Sequence, residues 1–521
     1  MSEPLSTPWP KAPLIYQIYP RSFQDSDDDG IGDISGALSR LPALRDLSLD
    51  GIWLSPFMPS PWIDGGYDVS DFTSVHPTLG TFKDLKRFVD ACHDDNIRVL
   101  ADLVLNHTSH KHPWFERSAQ RLDGYDDYYV WRDAKPDGSV PTNWIGRFGK
   151  PAWTWHHRRQ QYYLHNYMSE QPSLNLRCPQ VQDEIEAIIH FWREFGFDGF
   201  RLDAVTAYLC DPEFRDNPPA TAEVRRRMDG EQFLPYVRQD HLYDFLPGDG
   251  AAYAEHLRRW AGPNTWFLGE VGTGNQSVSV CNDLTSPGRL DAGYVVDTAQ
   301  FGLTADTVSC LLADRAGPGR LTWWVGSHDR PRQPKDPEDP IAKLHLFFLA
   351  FMPGPALVYQ GEELGLPQPE LHEEEVTDPY DLAFWPDGPG REGARVPLPW
   401  SSDQDGFGFT QGKPWLPMRW SSKCARSHQE ANGTSTLALA KAAFHLRALL
   451  GLRDLPTHRW RRDGGCITIE YSAAVIKLNF SEKPVPSDEA GDPELASKPV
   501  VDGFIPPEAG AIWLREAARR F

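Results

Sequence analysis

Paired cysteines are missing from this chain of 521 residues. Its seven cysteines are odd in number and widely scattered, without the short paired spacings of a disulfide framework or a zinc site. Disulfides persist mainly in oxidising compartments, so this pattern favours a reducing one. We therefore expect a cytoplasmic protein.

Long apolar runs and an excess of positive charge are also missing. No stretch reaches about 18 uncharged apolar residues, and the start of the chain shows no basic region followed by an apolar one. The net charge of −21 would repel nucleic acids and anionic membrane surfaces. We expect neither as a partner, but rather a neutral or cationic small ligand, bound by a monomer or a homodimer.

The chain does contain a regular alternation of short apolar segments with amphipathic helical ones. Helical patterns lie between several apolar segments, for example over 82–95 and 181–195. The apolar segments, all strand candidates, span residues 14–20, 51–57, 97–107, 196–204, 265–271, 293–297, 321–329 and 355–363. Eight strands, each followed by a helix, predict an α/β fold, the closed (β/α)8 TIM barrel.

Five of these eight strand candidates end in polar residues. In the fourth, Arg201 and Asp203 stand on alternate positions, so their side chains face the same side of the strand. One such pair is also typical of a structural ion pair, whereas five polar ends predict an active-site mouth. The polar strand ends are Asp102 with His107, Arg201 with Asp203, Glu270, His328 with Asp329, and Glu362 with Glu363.

Three segments are too long or too irregular for a bare barrel. Residues 108–177, rich in aromatic and basic side chains, predict a small domain inserted after the third strand. Residues 364–430, rich in Pro, Gly and Asp, predict a long loop subdomain over the mouth. Residues 456–521 contain strand-like runs and predict a C-terminal antiparallel β domain, which leaves 1–107 and 178–455 for the barrel.

Four short motifs stand in order on successive predicted strands, namely LADLVLNH, GFRLDA, FLGEV and SHDRPR. Together they resemble the four motifs of the α-amylase superfamily, glycoside hydrolase family 13. The segments IYQIYPRSFQDSDDDGIGDISG, GGYDVSDF and QPSLN are similar to its intracellular α-glucosidase and oligo-1,6-glucosidase branch. The resemblance implies a barrel enzyme that cleaves glycosidic bonds.

The resemblance also implies roles for three acids: Asp203 as nucleophile, Glu270 as general acid and base, and Asp329 as transition-state stabiliser. Cleavage with retention needs an ionised and a protonated carboxyl roughly 5 to 5.5 Å apart, and acids on neighbouring strands meet that distance. We expect Arg201 to lower the pKa of Asp203. We expect the apolar residues before Glu270 to keep it protonated.

The expected sugar contacts follow from the same resemblance. His107 and His328 would bind the sugar before the scissile bond, and Tyr67 would stack on its apolar face. Asp68 and Arg395 match a pair that grips the non-reducing end and closes the pocket; a salt bridge that anchors a loop is the alternative. The predicted substrate-binding residues are Tyr67, Asp68, His107, Gln171, Arg201, His328 and Arg395.

Departures from the branch pattern concern linkage preference. The chain reads Ser173 where relatives read Asp in QPDLN, and Ser327 where they read Asn in NHDQPR. Ala204 follows the nucleophile where α-1,6-specific relatives tend to carry valine. The three acids are intact, so we expect activity, with α-1,4 or mixed specificity.

An acidic loop follows the first predicted strand. Carboxylates at its positions one, three, five and nine, with glycine at six, match a calcium loop, although the glutamate at twelve is replaced by Gly36. A solvated acidic turn is the alternative. As in the enzymes it resembles, we expect one structural Ca²⁺ or Mg²⁺ and no organic cofactor, with Asp25, Asp27, Asp29, Ile31 and Asp33 as ligands.

The sequence thus predicts a retaining, exo-acting α-glucosidase for short oligosaccharides. A transglucosylase or glucoside isomerase on the same scaffold is the alternative, since only the acceptor of the second step differs. A non-catalytic subunit of an amino-acid transporter is more remote, because it would show a transmembrane helix and lost acids.

Overall fold

The computed structural model of the protein describes residues 8–228, 234–272, 277–295, 302–314, 320–386 and 390–515. Its strands in chain order are β1 Leu14–Ile18, β2 Gly51–Leu54, β3 Arg98–Leu103, β4 Trp131–Arg132, β5 Trp153–His156, β6 Gln161–Leu164, β7 Gly199–Leu202, β8 Trp266–Val271, β9 Ala292–Val295, β10 Ala356–Tyr359, β11 His458–Asp463, β12 Cys466–Tyr471, β13 Ala474–Asn479, β14 Val485–Pro486, β15 Leu495–Ala496, β16 Phe504–Ile505 and β17 Ala509–Leu514. The helices are α1 Ile34–Arg45, α2 Phe82–Asp94, α3 Pro113–Ala119, α4 Pro179–Phe195, α5 Ala222–Arg227, α6 Pro247–Ala261, α7 Ser277–Leu284, α8 Ala305–Asp314, α9 Pro340–Phe351, α10 Pro379–Ala383, α11 Arg426–Glu430 and α12 Thr436–Leu449.

A parallel sheet closes on itself to form the barrel. Seven strands pair in the order β10, β1, β2, β3, β7, β8, β9. The eighth stave is the segment 321–324, in which Leu321 bridges Gly293 of β9 and Trp323 bridges Ala356 of β10. The predicted (β/α)8 barrel is confirmed, although its seventh strand is reduced to bridges. Residues 296 and 297 of the sixth predicted strand lie outside the described residues.

The barrel strands are buried, except at Glu270 of β8, as expected where helices cover the outside of a parallel sheet. The outer helices that follow the eight staves are α1, α2, α4, α6, α7, α8, α9 and α12. Local capping fixes several of their starts: Asp33 caps α1, and Thr81 with Asp84 forms a capping box on α2. None of the helices in the described ranges combines the length and apolarity needed to span a bilayer.

The insertion after β3 contains a small antiparallel sheet in the order β4, β6, β5. Aromatic side chains supply much of its core; the rings of Phe115 and Trp131, for example, stack at 5.5 Å between centroids. A bridge between His107 and Ser173 ties the end of the insertion to the barrel mouth. This connection holds the inserted segment beside the pocket described below.

The C-terminal region forms an antiparallel sheet in the order β11, β12, β13, β17, β15, as predicted. It packs against α9, where Gly510 of β17 approaches so closely that a Cβ there would lie 2.6 Å from Phe347. The segment 364–430 contains only short helices in the part that the structure describes. The domain bounds given above stay a prediction.

Candidate active site

The carboxyl ends of neighbouring staves carry the charged residues expected at the barrel mouth. Asp102 lies in β3, Arg201 in β7 with Asp203 directly after it, and Glu270 in β8, while Asp329 follows the seventh stave. Because parallel strands end on the same side of a barrel, these residues meet there. Asp203, Glu270 and Asp329 line one cavity of about 1240 Å³, its open mouth included.

Arg201 holds three carboxylates together beneath this cavity. Its buried guanidinium lies 2.9 Å from Asp102 Oδ1, 2.7 Å from Asp203 Oδ1 and 2.8 Å from Glu270 Oε2. It also donates to the hydroxyl of Tyr294 at 3.1 and 2.6 Å. Asp203 and Glu270 therefore contact different nitrogens of a single guanidinium, which keeps the two acids close to each other.

The protonation of Asp203 differs from the expectation above. Burial raises the pKa of Asp203 well above its usual range, and the charges of Glu270 and Asp102 add to this rise, while Arg201 opposes it. The single guanidinium of Arg201 does not outweigh burial and the two neighbouring acids at Asp203. Arg201 lowers the pKa of Asp203 as expected, but the expected net lowering was wrong because it left out burial and the two neighbouring acids.

The surroundings of Glu270 also differ from the prediction. Phe267 and Leu268, which were expected to form an apolar wall, are fully buried in the barrel core. The Oε2 atom of Glu270 instead accepts a hydrogen bond from the backbone N–H of Ala204 at 3.0 Å and contacts Arg201. The Oε2 atom of Glu270 is thus held by donors next to Asp203, and the protonation of Glu270 by apolar neighbours stays a prediction.

Asp329 lies on the opposite side of the cavity among positive groups. Its Oδ1 accepts from Arg391 at 3.0 Å and from Arg395 at 2.8 Å, and its Oδ2 lies 3.1 Å from His328 Nε2. Burial opposes the charge of this carboxylate, but His328 and the two arginines outweigh it and hold the pKa of Asp329 well below its usual range. Asp329 is therefore ionised.

The predicted pair of Asp68 with Arg395 does not form. The carboxylate of Asp68 is buried and accepts hydrogen bonds from Ser60 Oγ at 2.6 Å and from the backbone N–H of Ile63 at 3.1 Å. Burial raises the pKa of Asp68 to about 6. This prediction was wrong: the residue anchors its own loop, while Arg395 donates to Asp329 and to the carbonyl of His328.

The pair that the structure brings together is Asp64 with Arg391. Asp64 Oδ1 lies 2.8 Å from Arg391, and its Oδ2 accepts from Gln171 Nε2 at 2.9 Å. Both residues line the cavity. Asp378 also contacts Arg391 on the side away from the catalytic acids. The sequence analysis missed Asp64 and Arg391. Asp64 stands three residues before Tyr67, and Arg391 stands four residues before Arg395.

The remaining predicted sugar contacts surround Asp102 and the cavity. Tyr67 donates to Asp102 at 2.9 Å, and its ring stacks on His328 with centroids 5.1 Å apart. His107 Nε2 lies 3.0 Å from the Tyr67 carbonyl and 3.2 Å from Gln171. Burial lowers the pKa of His107 to about 4, so its imidazole is neutral.

Aromatic and basic side chains from two loop regions form the outer part of the cavity, and the sequence analysis did not single them out. Phe148 of the insertion lies 4.9 Å from the ring of Tyr380, and Arg391 lies against both rings. Arg147 and Tyr236 line the same region. Such rings fit the apolar faces of sugars.

The acidic loop after β1 clusters three of its predicted ligands. One carboxylate oxygen each of Asp25, Asp27 and Asp29 lie within 4.8 Å of one another. Partial burial and the charges of Asp29 and Asp25 raise the pKa of Asp27, as is typical of carboxylates crowded for a cation. Asp33 accepts instead from Ser26 and from Gly36 at the start of α1. The three clustered acids fit a hard cation.

A barrel mouth that gathers a pair of bridged carboxylates, a third ionised acid and a rim of aromatic rings defines a glycoside hydrolase. Comparison with known proteins agrees with this class. The α-amylase catalytic domain matches residues 17–279 and 306–450. The chain belongs to this family, glycoside hydrolase family 13, which confirms the resemblance.

Two relatives and one solved structure are similar to this chain over most of its length. A "Probable alpha-glucosidase" of Rhizobium meliloti (strain 1021) is 41% identical over 460 residues, which cover 85% of this chain and 82% of the relative. An oligo-1,6-glucosidase of Parageobacillus thermoglucosidasius is 32% identical over 91% of each chain. The crystal structure of XgtA, an α-glucosyl transfer enzyme, is 34% identical, with a TM-score of 0.90 over 98% of this chain and 100% of that one.

Proposed function

We propose that the protein is a retaining, exo-acting α-glucosidase that removes terminal non-reducing α-glucosyl units from short oligosaccharides. Maltose-like sugars are the first candidates, followed by sucrose and by aryl or alkyl glucosides. The observation that carries the proposal is the contact of both Asp203 and Glu270 with Arg201 at one cavity. The α-glucosidase names of the relatives support the same substrate class.

The proposed reaction is a double displacement. An oxygen of Asp203 attacks the anomeric carbon while the bond to the leaving oxygen breaks and Glu270 gives its proton to that oxygen. In the second step Glu270 takes a proton from water, whose oxygen bonds to the anomeric carbon as Asp203 departs. The ionised Asp329 stabilises the positive charge that develops on the sugar ring in both steps.

The sugar before the scissile bond would be held by neutral and charged groups together. His107 and Gln171 offer hydrogen bonds, and the Tyr67 ring offers an apolar face. Asp64 and Arg391 take the place that we first gave to Asp68 and Arg395 at the non-reducing end. A charged pair at this position would bind the terminal hydroxyl groups and favour removal of single units.

The anomer of the first product tests this mechanism. We expect NMR spectra recorded within minutes of mixing enzyme and maltose to show glucose released from the non-reducing end as the α-anomer, because two inversions restore the configuration. Release of the β-anomer first would contradict a covalent intermediate on Asp203.

Transfer of the glucosyl unit to another sugar is the second candidate function. Similarity to XgtA, an α-glucosyl transfer enzyme, and to the trehalulose synthase MutB supports it; MutB is 25% identical, with a TM-score of 0.85 over 98% of this chain and 100% of that one. Product analysis at high maltose concentration separates the two functions. Dominant trisaccharide would favour transfer, whereas glucose alone would favour hydrolysis.

We also propose a structural Ca²⁺ or Mg²⁺ on the acidic loop and a cytoplasmic location. Asp25, Asp27 and Asp29 would supply carboxylate ligands, and Ile31 a carbonyl, with Asp33 nearby at the start of α1. The cation would neutralise crowded charge and take no part in the chemistry. All seven cysteines are free thiols, which supports a reducing compartment.

A further inference from the structure

We propose that Arg332 is a positioning residue that holds the turn of residues 390–395 against the barrel. This turn carries Arg391 and Arg395, both of which contact Asp329. Arg332 itself lies outside the lining of the cavity that contains Asp329, so it acts on the reaction through these two arginines. The inference rests on the α-glucosidase function proposed above and adds a residue outside the substrate cavity that this function needs.

The side chain of Arg332 ties one end of the turn to a barrel strand. Arg332 is buried, and its Nη2 donates to the carbonyls of Gln360 at 2.9 Å and of Ala394 at 3.0 Å. Gln360 directly follows β10, whereas Ala394 directly precedes Arg395. The guanidinium also lies 4.9 Å from the ring centroid of Tyr359, whose hydroxyl donates to the same Ala394 carbonyl at 3.0 Å. The backbone next to Arg395 is thus attached to the end of β10.

The other end of the turn is held through Gln368. Its Oε1 accepts from the backbone N–H of Arg332 at 2.7 Å, and its Nε2 donates to the carbonyl of Gly390 at 2.7 Å. Gly390 directly precedes Arg391. The turn packs closely here, since a Cβ on Gly393 would overlap Gln368 Nε2. Position 332 therefore fixes both ends of the turn, one through its side chain and the other through its backbone.

Other contacts of the turn complement those of Arg332. Asp381 accepts from the backbone N–H of Arg391 at 3.2 Å, but Asp381 belongs to the same loop segment and would move with the turn. Ser22, four residues after β1, donates from Oγ to the carbonyl of Arg395. Ser22 and Arg332 together attach this end to the barrel. Arg332 supplies the charged donor, and charge-assisted hydrogen bonds are the stronger ones.

Arg332 acts as a hydrogen-bond donor and not as an ion-pair partner. The hydrogen bonds of its guanidinium go to backbone carbonyls, and its Nε has no partner in the described part of the chain. The nearby Glu362 is neutral at neutral pH, because burial raises its pKa to about 8 although the charge of Arg332 opposes this. Replacement of Arg332 by a neutral residue leaves Glu362 neutral. Any loss of activity then reports on the position of the turn, not on a broken ion pair.

A displaced turn would weaken the stabilisation that Asp329 provides. Asp329 Oδ1 accepts from Arg391 at 3.0 Å and from Arg395 at 2.8 Å, and these contacts fix its carboxylate. A catalytic group about 1 Å from its productive position can lose up to about a hundredfold in rate. Because Asp329 acts on charge that develops only in the transition state, the loss should appear in kcat more than in KM.

The variant Arg332→Met tests the proposal, because methionine keeps much of the side-chain length but has no N–H donor. We expect kcat on maltose to fall about tenfold and KM to change by less than about threefold. Active sites are counted by mass spectrometry after a fluorinated glucosyl fluoride has trapped the covalent intermediate on Asp203, so that kcat refers to folded enzyme only. An unchanged kcat per labelled site would overturn the positioning role.

A double-mutant cycle shows whether Arg332 acts through the turn. We expect Arg395→Ala alone to lower kcat about a hundredfold, since Asp329 loses a charged partner. The double variant of Arg332→Met with Arg395→Ala should lose about the same hundredfold, because the second change removes the group that the first displaces. A loss of about a thousandfold, the product of the two single losses, would mean that the residues act independently and would overturn the proposal.

The variant Arg447→Met serves as the control. Arg447 is also a buried arginine that donates to carbonyls, those of Ala350 at 2.7 Å, Ala12 at 2.8 Å and Gly354 at 2.9 Å, but it lies in α12 and outside the cavity lining. We expect it to lower the melting temperature at least as much as Arg332→Met does, with kcat per labelled site within about twofold of wild type. Equal losses of kcat in the two variants would reduce Arg332 to a stabilising residue and overturn its positioning role.

The variant Gln368→Ala keeps the proposal testable if Arg332→Met does not fold. Gln368 is half-buried, and its loss should lower kcat about fivefold, because Gly390 and the adjacent Arg391 lose a tie to position 332. Losses that multiply fully in the double variant of Gln368→Ala with Arg391→Ala would overturn the proposal. A wild-type enzyme inactive on both maltose and aryl α-glucosides would instead contradict the α-glucosidase function itself.

Discussion

The floor and the wall of the cavity each place three acids next to arginines, but the number of arginines differs. The floor, formed by strand ends, places Arg201 among Asp102, Asp203 and Glu270. The wall, formed mainly by loops, places both Arg391 and Arg395 against Asp329 and Asp378, and Arg391 also against Asp64.

This difference in charge ratio sets the protonation of each region. With burial and one arginine for three acids, the floor keeps the pKa of Asp203 raised. With His328 and two arginines beside three acids, the wall keeps the pKa of Asp329 lowered and holds a fixed negative charge. A double displacement needs both a proton to transfer and a charge that does not titrate.

Removal of Asp203, the proposed nucleophile in the floor, should have the largest effect on activity. We expect Asp203→Ala to lower kcat on an aryl α-glucoside by about four orders of magnitude or more, because no other group attacks the anomeric carbon. Circular dichroism and thermal melting should show a folded protein. An active variant would contradict the role of Asp203, whereas azide added to the inactive variant should yield the β-glucosyl azide.

Removal of Arg391 from the wall should have a smaller but still large effect on activity. For Arg391→Ala we expect kcat/KM on maltose to fall about a hundredfold, because three carboxylates lose a shared partner and the terminal sugar loses a donor. Arg419→Ala is the matched control in the same segment, since its exposed pair with Glu375 contributes little. Equal losses in both variants would show that the segment acts only through stability.

The pH dependence of kcat/KM should respond differently to variants in the floor and in the wall. Asp102→Asn removes one of the charges that raise the pKa of Asp203, so the nucleophile stays ionised to lower pH. We expect the acid limb of log kcat/KM to move to lower pH. Asp378→Asn in the wall should leave that limb in place, because the pKa of Asp329 is already well below its usual range. An acid limb unmoved in Asp102→Asn would contradict the effect of the Asp102 charge on the pKa of Asp203.

Removal of the proposed cation should have the smallest effect. We expect excess chelator to lower the melting temperature by roughly 3 °C, since a ligand bound only to the folded state stabilises it. The double variant Asp27→Asn with Asp29→Asn should not respond to chelator. An unchanged melting temperature in the wild type would remove the cation from the proposal.

The residues of the floor could be predicted from the sequence because the position of a residue in a strand determines the side to which its side chain points. Arg201 and Asp203 alternate in β7, and the motif order assigns Glu270 and Asp329 to later staves. What the pattern did not contain was the number of acids around Arg201, which decides the sign of the pKa shift at Asp203. That number depends on contacts across the barrel, and no local pattern records them.

The wall could be predicted only in part because loops have no such periodicity. Asp64 and Asp68 are four positions apart, and Arg391 and Arg395 likewise, and the sequence analysis considered only Asp68 with Arg395. Only the folded loops show that Asp68 bonds its own loop while Asp64 reaches Arg391.

The acidic loop is hydrogen-bonded to the segment 364–430, which also carries Arg391 and Arg395. Gln411 N donates to Asp28 Oδ1 at 2.9 Å, and Trp415 N donates to the carbonyl of Gly30 at 3.0 Å. Replacing part of the segment 364–430 with that of a relative, to change the sugar preference, would therefore require replacing the loop of residues 25–33 as well. We expect such a graft to fold well only when both segments are exchanged together and the barrel strands are kept.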